Sequence, residues 1–162
     1  MSHEDQVTSL DDVSIPALLR HARTTYGTAM RAALEESGYD DIPKNGLYVI
    51  GGLASGADDA PLADLIRDLR ISERSARQLV ETLVERGYLE RRAGRQDQHG
   101  PVVTLSTRGR GAAAVQADAR RRIDAELTAR VGPDDVAALR TALATLIQLG
   151  REAETTTAPS PR

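Results

Sequence analysis

Ser72, Glu73, Arg74, Ser75, Arg77 and Gln78 crowd hydroxyls, guanidinium groups and a carboxamide into two turns' worth of chain, a set suited to phosphate oxygens and base edges of duplex DNA. Arginine presents two parallel N–H groups to guanine O6 and N7, and glutamine pairs in the same bidentate way with adenine N6 and N7. Arg77 and Gln78 are therefore the candidates for base contact. Ser72, Ser75 and Arg74, closer to the start of the segment, suit phosphate or shared contacts. Glu73 can accept from cytosine N4, and as a first-turn acid it is also favoured by a helix dipole. A second polar cluster follows in Arg91, Arg92, Arg95 and His99. There Arg95 and His99 are expected at the tip of a hairpin lying along the minor groove, with Arg91 or Arg92 on phosphates. Strand alternation lets only one of Arg91 and Arg92 face the DNA directly.

The elements that would position these groups are legible as periodicity. Leu62, Leu65, Ile66 and Leu69 follow the spacing of one buried helix face, opened by Pro61. After Arg70 and Ile71, Ser72 serves as the N-cap of a second helix whose buried stripe is Ala76, Leu79, Val80, Leu83 and Val84. The polar residues 73, 74, 75, 77, 78 and 81 fall on the opposite face. Gly87 stops that helix, Tyr88 and Leu89 restart the chain as a strand through Ala93, and Val102 to Ser106 returns as its partner across a turn-rich tip. Ser106 or Thr107 caps the helix that follows. Two short helices and a basic hairpin in succession make a winged helix-turn-helix.

Ser72 to Leu89 followed by Asp97 to Gly109 resembles the MarR family of bacterial transcription regulators, whose wing reads Asp-Arg-Arg, alternating apolar residues, then Leu-Thr-x-x-Gly. Here the same register gives Asp97-Gln98-His99, Val102-Val103-Thr104-Leu105 and Ser106-Thr107-Arg108-Gly109. The likeness extends more loosely over residues 12 to 150. Arg70 stands where the family's helix-turn-helix turn has glycine, and His99 where the wing tip has arginine. The resemblance implies double-stranded DNA as partner, a two-fold homodimer built from N- and C-terminal helices, and a small aromatic or phenolic effector bound between the dimer helices and the reading head. Tyr26, Met30 and Tyr48 lie on elements that could line such a cleft, although tyrosine and methionine at helical spacing equally serve as ordinary packing.

Charge is distributed in keeping with that reading. The whole chain carries −3, yet residues 61 to 111 hold ten arginines against seven acids. A basic head thus sits on an acidic body, and location matters more than the total. With four tyrosines and no Phe or Trp, the core must be built from Leu, Ile, Val and Ala, which favours closely packed helices. The absence of cysteine excludes disulfides and thiol-based sensing, and three scattered histidines do not suggest a metal site. No cofactor is expected. No apolar run approaches membrane-span length and the N-terminus lacks signal-peptide character, so a cytoplasmic protein is expected. Neither a Gly-rich phosphate loop, a nucleophile elbow nor a convincing acid pair points to an enzyme. A winged helix that binds protein in place of DNA, as an adaptor or antirepressor, is the other class that the pattern admits.

The expected fold class is mainly α with a small β-hairpin: a winged helix-turn-helix embedded in a helical dimerisation domain. Residues 12–38 make an N-terminal dimerisation helix, with Ser14 as N-cap and Gly38 past its end. Residues 43–106 form the DNA-binding module, beginning with a helix from Pro43 to Ser55 in which Gly51 and Gly52 allow close packing. Residues 107–150 supply two C-terminal dimerisation helices broken at Gly132-Pro133, the second carrying Val136, Leu139, Leu143, Leu146 and Ile147 on one face. Residues 151–162, rich in Thr and Pro, are expected to be a disordered tail.

Overall fold

Leucine, valine, isoleucine and alanine stripes fold here into six helices and three short strands, in a computed structural model that describes residues 10, 12–56, 59–69, 71–93 and 100–157. The chain divides into two compact units, Met1–Arg120 and Arg121–Arg162. Helix α1 spans Ile15–Glu36, α2 Gly46–Ser55, α3 Leu62–Asp68 and α4 Glu73–Glu85. Strands β1 (Asp59–Pro61), β2 (Leu89–Ala93) and β3 (Pro101–Leu105) form one antiparallel sheet in the order β1-β3-β2.

Local chemistry fixes the helix ends. Gly38 and Gly87 both take positive φ, 80° and 76°, just past α1 and α4. Behind Gly87 the Tyr88 amide donates to Leu83 O at 2.9 Å and the Gly87 amide to Val84 O at 3.0 Å, a Schellman motif that satisfies the last carbonyls of α4. Ser14 occupies the N-cap position of α1 without a side-chain hydrogen bond, whereas Ser72 caps α4 through its hydroxyl. Ser106 caps helix α5 (Thr107–Val131), its Oγ accepting from the Gly109 amide at 2.9 Å and donating to Gly87 O at 2.5 Å. One hydroxyl thereby ties the start of α5 to the end of α4. Gly109 is needed for this contact, because a Cβ there would fall 2.1 Å from Tyr88 O.

The first unit holds the core, with Leu34, Leu47, Ile50, Leu83, Tyr88, Leu89 and Leu105 all at or below 2% exposure. Burying each such leucine stabilises the fold by about 1.5–3 kcal/mol. Ala76, Leu79, Val80 and Leu83 turn the inner face of α4 into this core, with Val84 packed at its margin. Gly51 permits the expected close approach: a Cβ would lie 2.9 Å from Gln116 Oε1, while Gly52 faces open space. In the second unit helix α6 (Pro133–Thr157) leaves Leu139, Leu146, Ile147 and Leu149 exposed.

Three boundaries differ from the sequence expectation. The hairpin gains a third strand, β1, which pairs Ala60 with Val103 and Pro61 with Val102. A three-residue strand containing proline has no periodicity to read, and its conformation is set by the β3 edge it joins. Residues 43–45 form a turn, with the Gly46 amide donating to Pro43 O at 2.8 Å, so α2 begins at Gly46. Finally, α6 runs Pro133–Thr157, so residues 151–157 are helical and not the disordered tail expected for 151–162. Uninterrupted Arg-Glu-Ala-Glu chemistry carries the helix past Gly150 despite the threonines.

Candidate nucleic-acid interface

Helix α4 turns one face into the core and presents the other to solvent, and the predicted residues fall on that outer face. At its start Ser72 Oγ accepts from the Ser75 amide at 3.2 Å and donates to Ser75 Oγ at 2.8 Å. Both serines are exposed, and the Ser75 hydroxyl keeps its own proton for an outside acceptor such as phosphate. One turn on, Glu73 Oε1 accepts from Arg77 Nε at 3.0 Å and from Nη2 at 2.7 Å. Arg74, Arg77 and Gln78 are all exposed along this face, and the side chains of Arg74 and Gln78 have no partner among the described residues.

Beside α4 lies a groove of about 520 Å³ whose walls bring Lys44 and Asn45, in the turn before α2, opposite Arg74, Ser75 and Gln78. Lys44 and Asn45 are exposed and are not among the residues that the sequence singles out. They sit in a turn far from the basic cluster in the chain, and only the fold brings them beside α4.

The strand arginines divide as alternation requires. Arg91 reaches back to α4 and donates to Glu81 Oε1 at 2.5 Å, while Arg92 Nη2 donates to Glu90 Oε2 at 3.3 Å. Both remain exposed. Arg95 and His99, with Arg70 and Asp97, lie outside the described residues.

Three further arginines of the basic segment are tied to the protein itself. Arg86 Nη1 donates to Asp41 O, and Arg108 donates to Arg86 O and to Asp41 Oδ1, both at 3.0 Å, while stacking 4.5 Å from the Tyr88 ring centroid. Arg110 Nη1 donates to Leu105 O at 2.7 Å. The Tyr88 hydroxyl donates to Asp41 Oδ1. That hydrogen bond, helped by Arg108 and opposed by burial, holds the Asp41 carboxyl below its usual range. Burial first, and then Asp41, pushes the Tyr88 phenol up to about 12.

The residues considered for an effector cleft are dispersed. Met30 is buried in the core, its Sδ 3.5 Å from Arg120 Nη1, and Tyr26 packs half-buried against that core. Tyr48 lies under the Arg23 guanidinium, 4.3 Å from the ring centroid, and lines a cavity of about 640 Å³ with Arg23, Leu53, Asp64, Leu65 and Leu69. Among the described residues no cluster of His, Asp or Glu could hold a metal ion, and no helix is long and apolar enough to cross a membrane.

Sequence comparison finds no matching family model and no matching curated protein. Solved structures do match. The oxidised form of MarR from E. coli superposes with a TM-score of 0.67 at 20% identity, covering 86% of this chain and 99% of that one. Streptococcus pneumoniae FabT, in a crystal structure with DNA, gives 0.70 at 17% identity over 86% and 96% of the two chains. A mutant of E. coli MarR complexed with operator DNA gives 0.64 at 20% identity over 85% and 96%. An exposed polar α4, a three-stranded wing and helices on either side of them together make the fold of this chain that of the MarR-family winged helix-turn-helix regulators.

Proposed function

We propose that this chain is a sequence-specific DNA-binding regulator of transcription, a cytoplasmic repressor that occupies a pseudo-palindromic operator as a homodimer. The observation that carries the reading is the outer face of α4, where Arg74, Arg77 and Gln78 stand exposed on a helix whose other face is locked into the core. Such a helix enters a major groove with its N-terminal residues on base edges. Lys44, Asn45 and Ser75 flank it on one side, and Arg91 or Arg92 lies along the wing on the other; these suit phosphates, with Arg95 and His99 assigned to the wing tip. FabT and MarR have been crystallised with DNA in this fold, which supports the same partner here. The apolar residues left exposed on α6, with Ile15 on α1 at 66% exposure, support a partner subunit that covers them. The role is binding and not catalysis.

Selection of bound duplexes from a random pool tests the reading. An enriched palindrome with half-sites about one helical turn apart is the expected result. Failure of any duplex to bind in a salt-dependent manner would instead favour a protein-binding adaptor. Light scattering at micromolar concentration should give the mass of a dimer.

A second reading concerns control. The cavity beside Arg23 joins the Tyr48 ring to apolar walls at Leu53, Leu65 and Leu69, with the Arg23 guanidinium and the Asp64 and Asp68 carboxylates as its charged groups. That combination suits a small aromatic or phenolic effector, its ring against Tyr48 and its hydroxyl within reach of the charged groups. Binding there would release the operator. Loss of effector response in Tyr48→Ala, with operator affinity retained, is the expected outcome.

A further inference from the structure

We infer that Glu73 is a positioning residue for Arg77, fixing which edge of the guanidinium reads a base; the inference rests on the DNA-binding reading of α4. Glu73 Oε1 takes both Arg77 Nε, at 3.0 Å, and Arg77 Nη2, at 2.7 Å. The side-on edge of the fork, Nε with one Nη2 hydrogen, is thereby occupied by the carboxylate. The end-on edge, one Nη1 hydrogen and the second Nη2 hydrogen, points away from it. That free edge still offers two parallel N–H groups, the requirement for guanine O6 and N7. Glu73 therefore leaves the guanidinium able to read guanine while restricting its rotation.

Two features keep the pair compatible with binding. Its side chains are 56% and 68% exposed for Arg77 and Glu73, so the carboxylate is hydrated and not buried at a cost. Glu73 also sits in the first turn of α4, where the helix dipole favours a negative group. A carboxylate near phosphates lowers affinity for every duplex alike. Its return is discrimination, because an arginine already oriented loses less side-chain freedom when it meets the correct base and cannot swing easily to a neighbouring phosphate.

The test is duplex selection and titration with the parent, Glu73→Ala, Glu73→Gln, Arg77→Ala and the Glu73→Ala/Arg77→Ala pair, each first shown to unfold thermally like the parent. Arg77→Ala should erase a guanine preference at one position per half-site, by roughly tenfold or more. Glu73→Ala should lose most of the same preference at the same position, while its affinity for an unrelated duplex rises. Glu73→Gln keeps an acceptor in place and should restore much of the discrimination. The double variant should be no less selective than Arg77→Ala alone, since coupled residues are not additive. A purely structural role would weaken all sequences together. Unchanged selectivity in Glu73→Ala, or a loss at a different base position that marks Glu73 as a base reader itself, overturns the inference while leaving the DNA-binding reading standing. A parent that enriches no sequence overturns both.

Discussion

The outer face and the C-terminal end of α4 use the same residue types for opposite purposes. Along the outer face, Arg77 meets Glu73 and Arg91 meets Glu81, with every partner at least 42% exposed. At the C-terminal end, Asp41 gathers the Tyr88 hydroxyl and Arg108 on one carboxylate oxygen, and Arg86 on its backbone carbonyl, around a ring with no exposure at all. Exposed ion pairs are worth about 0–1 kcal/mol, so the outer pairs orient side chains while adding little to stability. The knot instead commits its guanidinium groups to the backbone carbonyls of Asp41 and Arg86 and to the buried Tyr88 ring, although Arg108 and Asp41 are themselves 42% and 38% exposed. Arginine content alone thus overstates a binding surface: Arg86, Arg108 and Arg110 belong to the scaffold although they share the basic segment with Arg74 and Arg77.

Breaking the knot should give the largest effect. Tyr88→Ala removes a fully buried ring and one hydrogen bond to Asp41, and should cost about 3–5 kcal/mol in urea unfolding. Gly109→Ala, which drives a Cβ against Tyr88 O, should cost about 1–3 kcal/mol. Base preference of the molecules that remain folded should be unchanged in both. The same knot predicts a pH response. The Tyr88 phenol is raised from 10.0 to about 12 in the fold, so its contribution is complete below pH 10 and is lost as pH rises toward 12. Asp41 is lowered below 3.8, so its contribution is present above that value and is lost as pH falls through the depressed pKa. Tyr88→Phe should flatten the alkaline limb of a stability-against-pH curve.

Changes on the outer face should do the reverse and leave stability nearly untouched. Arg77→Ala and Gln78→Ala should each cost about 1–3 kcal/mol at one base position per half-site and relax preference there. If either variant kept the parent's preference in a duplex selection, the orientation of α4 in the groove would be wrong.

Comparison of these regions also shows what a sequence can convey. The stripe Ala76, Leu79, Val80 and Leu83, the Ser72 cap and the Gly87 stop follow from local rules, and α4 forms where they place it. Strand β1 and the knot do not. Tyr88 and Arg108 lie 47 and 67 positions beyond Asp41, and their meeting depends on how α1 and α5 bring the loop and the strand together. Lys44 escapes a sequence reading for the same reason, since its place beside Arg74 is a product of tertiary packing. The polar pattern of α4 tells which side chains face outward but not that Glu73 and Glu81 each hold an arginine.

Lys44 and Arg92 offer a uniform, sequence-blind effect that sharpens the contrast further. If they meet phosphates, Lys44→Ala and Arg92→Ala should weaken all duplexes alike and lower the slope of log affinity against log salt by about one each. A change in base preference on Lys44→Ala would instead move that residue into the base-reading set.

The smallest effect is expected at the Glu81–Arg91 bridge, which joins α4 to the wing. At 42% and 49% exposure the pair should contribute less than about 1 kcal/mol to stability. Its consequence lies in what happens to Arg91 when the carboxylate is removed. With Glu81 in place, Arg91 is held toward α4, and Arg92 on the opposite side of β2 is the better placed of the two for a phosphate. Glu81→Gln removes a negative charge from the outer face of α4 and releases a guanidinium at once. Affinity for any duplex should therefore rise a few-fold at low salt, and the salt slope should steepen by about one as Arg91 joins the phosphate contacts. Glu81→Gln combined with Arg91→Ala should return the slope to the parent value. A slope that stayed steep in the combined variant would assign the gain to the lost carboxylate alone and leave Arg91 as a brace between wing and helix.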